Sequence, residues 1–95
     1  MVIGFYLGEM NLRGVVNSTY AYAFYNQKIL NNKSIIFYYK KNKFNNKEVI
    51  IKFKKSFKII AVKNFLEIDN YKKKLKLKFV YIQKFSFIFV INCTV

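Results

Sequence analysis

The chain carries few groups that do chemistry: no histidine, one cysteine (Cys93), one arginine (Arg13) and four acids, Glu9, Glu48, Glu67 and Asp69. Two of these scarce groups fall in one short stretch, Gly8-Glu9-Met10-Asn11-Leu12-Arg13-Gly14, bounded by glycines. Glycines let a backbone approach a ligand closely. A helix that begins at the end of such a bend turns free N–H groups and a positive dipole toward an anion. Arg13 stands at that start, where a guanidinium forks onto phosphate or carboxylate. Glu9, in the same loop, is of the type that serves as a general base. Gly8, Glu9, Arg13 and Gly14 are therefore the candidate ligand-binding residues, and no catalytic residue is assigned. Read by spacing alone, the same stretch is also a plain turn with solvated charges.

Other chemistries find no pattern. The dinucleotide fingerprint G-x-G-x-x-G and the P-loop sequence are both absent, so no resident cofactor is indicated. A lone cysteine forms no intramolecular disulfide, and a chain without histidine offers little for a metal site. A reducing, cytoplasmic setting is the simplest expectation. The amino end lacks a basic flank before its apolar run and meets an acid early, unlike a secretory signal. At the other end, Phe85 to Ile91 is apolar apart from Ser86 and follows a lysine-rich segment. That is the order of a tail anchor, but the run falls far short of the roughly 20 residues a span requires. No membrane span is expected.

The net charge is +14, from 17 lysines and one arginine against four acids. Such a field attracts polyanions, and Tyr20, Tyr22, Tyr25, Phe37, Tyr38 and Tyr39 supply rings on which bases stack. A small basic nucleic-acid-binding module is therefore the alternative reading. The composition has a plainer source as well. Codons made of A and T spell Lys, Asn, Ile, Phe and Tyr, and selection for phosphate forks would favour Arg over Lys.

The elements that must position the loop follow from the apolar pattern. Val2 to Leu7 is a short apolar run, read as a buried strand. Val16, Tyr20, Ala23, Phe24 and Ile29 recur at helical spacing, which predicts a helix over roughly Val15 to Leu30, stopped by Asn31-Asn32 in left-handed geometry. Ser34 to Tyr39 is a second strand and Lys40 to Asn45 a polar loop. Asn46 caps a second helix that buries Val49, Ile50, Phe53 and Phe57. Lys58 to Val62 is a third strand. Asn64 with Glu67 opens a third helix, over roughly Phe65 to Leu75. Lys78 to Ile82 is a fourth strand, and Phe85 to Val95 is a fifth or an unsupported end. Strand–helix alternation with apolar strands predicts an α/β fold: one domain, a Rossmann-like parallel sheet of four to five strands with three helices. In such sheets ligands bind beyond the strands' carboxyl ends, where the Gly8–Gly14 bend would lie.

Several segments together resemble a known group. Ile3-Gly4-Phe5, Arg13-Gly14, Tyr20-Ala21-Tyr22-Ala23, Tyr25-Asn26 and Ile29-Leu30-Asn31-Asn32-Lys33-Ser34-Ile35-Ile36 are similar to the start of predicted glycosyltransferases of giant viruses and AT-rich marine microbes. Glu48-Val49, Phe65-Leu66-Glu67-Ile68-Asp69 and Phe79-Val80-Tyr81-Ile82 also fit, so the resemblance covers nearly the whole chain. It implies the amino-terminal half of a two-Rossmann-domain enzyme of the GT-B type. That half shapes the acceptor side, and a carboxyl-terminal domain, missing here, binds the nucleotide-sugar. No metal would be needed, and Arg13 and Gly14 would face the cleft. The partners implied for the intact enzyme are a glycan acceptor and a nucleotide-sugar donor, with hexosyl transfer as the reaction. The chain departs from the pattern at Tyr6, where the group tends to carry His. It departs again at Leu12, Val16 and Ala21, where the group carries acids. A truncated chain without turnover of its own is the expectation.

Overall fold

The computed structural model describes residues 1–11, 13–84 and 87–93. Its elements run β1 (Val2–Leu7), α1 (Gly14–Lys28), β2 (Lys33–Tyr39), α2 (Lys47–Ser56) and β3 (Lys58–Val62). A 3-10 turn (Phe65–Ile68) then leads into α3 (Asp69–Lys72), followed by β4 (Leu77–Lys84) and β5 (Phe87–Asn92). The five strands form one sheet in the order β3-β2-β1-β4-β5. β1, β2, β3 and β4 pair in parallel, and β5 pairs antiparallel with β4. The fold is thus the expected Rossmann-like α/β sheet with three helices. The antiparallel fifth strand follows from chain length: two residues separate β4 from β5, too few for the crossover that a parallel neighbour needs. Residues 85, 86, 94 and 95, at the edges of the expected fifth strand, lie outside the described residues.

Right-handed crossovers decide which face each helix covers. α1 and α2 follow strands laid down in one direction and share a face, where Val16, Ala23, Val49, Phe53 and Phe57 pack on Ile3, Phe5 and Ile36. The connection from β3 to β4 returns across the sheet, so Ile68 sits on the other face with Phe37, Val62, Leu77 and Val80. Both faces of β1 and β2 are therefore covered, which is why those strands read as continuous apolar runs. Gly4 sits at the centre, opposite Ile35 on β2 and Val80 on β4. A Cβ there would lie 3.0 Å from Cε2 of Phe37, so the bare backbone makes room for that ring.

The caps follow the sequence signals. The Asn46 side chain accepts from the N–H groups of Glu48 and Val49, and that of Asn64 accepts from Glu67 N–H. Glu67 in turn accepts from the Lys63 N–H, tightening this helix start. Beyond α1, Asn31 takes φ 56° and the Asn32 N–H returns to the Asn26 carbonyl at 3.0 Å. The third helix is shorter than expected. It starts as a 3-10 turn, and its α-helical part ends at Lys72. Beyond it the Leu75 N–H donates to the Tyr71 carbonyl and the Lys76 N–H to the Lys73 carbonyl, and Lys76 turns the chain into β4 with φ 56°.

α1 departs most from the periodic reading. Phe24 and Ile29, expected inside, are 42% and 63% exposed, whereas Thr19 and Asn26 are 4% and 6% exposed. Polar contacts explain Asn26. Its Nδ2 donates to Ser34 Oγ at 2.8 Å, Ser34 Oγ donates to the Ala23 carbonyl at 2.8 Å, and Asn32 Nδ2 donates to Asn26 Oδ1 at 2.9 Å. Buried polar groups that are paired in this way fix the seating of α1 on β2.

Candidate functional site

The order of strands reverses between β1 and β4, and at their carboxyl ends lies a cleft of about 570 Å3. Gly8, Glu9 and Arg13 line it, together with Tyr6, Tyr39 and Asn42. Leu7, Val16 and Ile82 supply apolar floor. Gly14 does not line the cleft; it opens α1 next to Arg13. Three of the four residues expected from the loop therefore meet at one rim. Leu12, where the resemblance predicts an acid, lies outside the described residues.

The loop is held by its neighbour rather than by its glycines. Asn42 Nδ2 donates to the Gly8 carbonyl at 3.0 Å, and the Met10 N–H donates to Asn45 Oδ1 at 2.8 Å. The Asn46 N–H donates to the Met10 carbonyl, and the Met10 side chain is fully buried beneath. The polar loop after β2 thus splints the loop after β1. Neither Gly8 nor Gly14 takes a left-handed φ, and a Cβ on either would meet open space. Neither backbone conformation nor a close neighbour requires glycine at these two positions.

Arg13 is the residue before α1, in extended geometry, with its N–H donating to Asn11 Oδ1 at 2.9 Å. Among the described residues no side chain caps α1 and no acid stands in its first turn; the nearest carboxylate is that of Glu9 in the preceding loop. The Arg13 guanidinium approaches Glu9 at 3.6 Å, with side-chain exposures of 72% and 27%. A long, exposed pair of this kind is weak, and both groups keep hydrogen-bonding capacity for a ligand.

The sequence offers Tyr39 only as a ring for base stacking and Tyr6 only as a departure from the resembled pattern, and neither as a residue of this rim. Tyr6 is fixed edge-on against Phe65, with ring centroids 5.1 Å apart. Burial first, then the neighbouring Tyr39 phenol, pushes the Tyr6 pKa above its ordinary value. Tyr6 therefore stays neutral, with one donor and an acceptor available. Asn42 uses Nδ2 on Gly8, and its Oδ1 accepts from the Phe44 N–H at 2.8 Å. One N–H and one lone pair of its amide remain.

The other sequence candidates are dispersed. Tyr20 packs edge-on against Phe53 and Phe57 and hydrogen-bonds Ser56 Oγ at 2.7 Å, and Phe37 is fully buried. Neither is free to stack on a base, whereas Tyr22 and Tyr25 are exposed. Lys47, Lys52, Lys54 and Lys55 stand on the outer face of α2. Cys93 lies beside the Asp69–Lys72 pair, in which Nζ and Oδ1 are 2.7 Å apart, and burial raises its thiol pKa despite the nearby ammonium. Among the described residues no three His, Cys, Asp or Glu side chains group together, and no helix is long and apolar enough to cross a membrane. No protein-family profile, curated protein or solved structure matches the chain.

Proposed function

We propose that this chain is the acceptor-side domain of a nucleotide-sugar-dependent glycosyltransferase, with the rim cleft as the seat of an acceptor sugar. One observation carries the reading: a carboxylate, a guanidinium, an amide and two phenols meet in one cleft at the strand-order switch. These groups suit a polyhydroxylated ring. Glu9 accepts from sugar hydroxyls, Arg13 and Asn42 donate to them, and Tyr6 and Tyr39 do either. An apolar floor beside polar walls matches a sugar ring, which has hydroxyl edges and C–H faces. Arg13 also suits an acceptor that carries a carboxylate or phosphate. The resemblance in sequence supports the same reading and assigns the donor nucleotide-sugar to a second domain.

The test is calorimetric titration of the chain with glucose, galactose, mannose and N-acetylglucosamine, and separately with UDP-glucose and GDP-mannose. At least one neutral hexose is expected to bind in the millimolar range. Glu9→Gln should weaken it about tenfold, as loss of a hydrogen bond to a charged group implies. No transfer is expected from any donor. Tight binding of a nucleotide-sugar by this chain would contradict the acceptor-side assignment.

A further inference from the structure

A second depression, of about 310 Å3, lies away from the rim, between α1 and the ribbon of β4 and β5. The α1–α2 layer covers this side of the β4–β5 ribbon only in part: Phe79 and Tyr81 of β4 pack against its core, while Ile88 of β5 is 50% exposed. On the sheet side its lining includes Phe5 and Tyr81, whose rings stack with centroids 5.4 Å apart and an interplanar angle of 18°. Tyr22 and Tyr25, each about half exposed, stand on the α1 side. The groove is a slot with aromatic walls, and its size is at the lower end of the roughly 300–1,000 Å3 range of ligand pockets. A bicyclic ring fits in such a space without filling it.

A buried polar group gives the slot its chemistry. Thr19 lines it and is 4% exposed, and its hydroxyl has no hydrogen-bond partner among the described residues. A buried hydroxyl left unpaired is costly, and native proteins seldom keep one without a partner. Asn26 lines the slot as well. One N–H and one lone pair of its amide remain beyond its bonds to Ser34 and Asn32. Thr19 sits where the helical pattern would place an aliphatic residue, between Val16 and Ala23 on the buried face.

We propose that this slot binds a planar bicyclic aromatic ligand with one polar ring atom, which pairs with the Thr19 hydroxyl while the rings stack against the tyrosines. The site is independent of the rim cleft and of any transfer reaction. The probes are quinoline, indole and naphthalene, which share size and shape and differ in the polar atom. They are titrated into the intact chain and followed by the amide signals of residues 19–26. Quinoline or indole is expected to bind about five- to tenfold more tightly than naphthalene, the span of one net hydrogen bond. Thr19→Val, which keeps the volume and removes the hydroxyl, should bring the three affinities together. Tyr25→Ala, at an exposed wall position, should weaken all three. Equal affinities in the unmodified chain, or a preference that survives in Thr19→Val, would overturn the proposal.

Discussion

Gly4→Ala is the sharpest probe of how the sheet is assembled. The added Cβ would lie 3.0 Å from Cε2 of Phe37 and 3.3 Å from Cγ2 of Val80. Both neighbours are fully buried, and the Phe37 ring is backed by Tyr71 at 5.8 Å, so neither withdraws easily. Overpacking of a filled core costs about 1–3 kcal/mol. Replacing glycine inside a strand returns about 0.5–1 kcal/mol. The net expectation is a loss of about 0–2.5 kcal/mol, and at about 4–8 °C per kcal/mol for a chain of this size the midpoint falls by up to about 20 °C. Thermal unfolding followed by circular dichroism measures it, with Gly8→Ala and Gly14→Ala as controls because nothing lies within 4 Å of a Cβ at either. A raised midpoint for Gly4→Ala would refute the tight approach of Phe37 and Val80 to this point of β1.

Further expectations concern the buried network and alkaline pH. Ser34→Ala removes the group that accepts from Asn26 and donates to Ala23. It should cost about 1–3 kcal/mol in urea unfolding, and an unchanged midpoint would contradict the network. The Tyr6 phenol is raised from 10.0 and the Cys93 thiol from 9.0, both by burial first. A raised folded-state pKa means that the native state holds the proton more tightly. Its contribution to stability is complete below the unfolded value and is lost as pH rises through the folded one. Stability should therefore fall above about pH 9, and Tyr6→Phe should lessen the fall. Taking the difference between the two proteins cancels the effect of lysine deprotonation on the overall charge. Parallel pH curves would show that Tyr6 does not contribute.

Much of the fold was legible because local and global signals agreed. β1 and β3 have the bounds their apolar runs indicate, and Asn46 and Asn64 cap the helices that follow them. α1 was read less well for a physical reason. Apolar periodicity cannot register a helix that buries Asn26 through hydrogen bonds and Thr19 beneath an aromatic groove while exposing Phe24 and Ile29. The left-handed Lys76 carries no sequence mark either, since lysine is not chosen for that geometry. The candidate site divides in the same way. Gly8, Glu9 and Arg13 were found because a first strand-to-helix loop must reach the sheet's carboxyl rim. Asn42 sits in a loop that reads as merely polar, and the sequence ties Tyr39 to base stacking and Tyr6 to a family departure, not to this rim. Only the pairing of β1 with β2 and β4 brings them to one place.

The reading of the rim as a sugar site is most directly tested by mapping a neutral hexose onto the 15N-labelled chain by amide chemical shifts. Saturable shifts grouped at Gly8, Glu9, Arg13, Gly14 and Asn42, and lost in Glu9→Gln, are the predicted result. Shifts scattered over the lysine-rich surface, or none at that rim up to molar hexose, would contradict it.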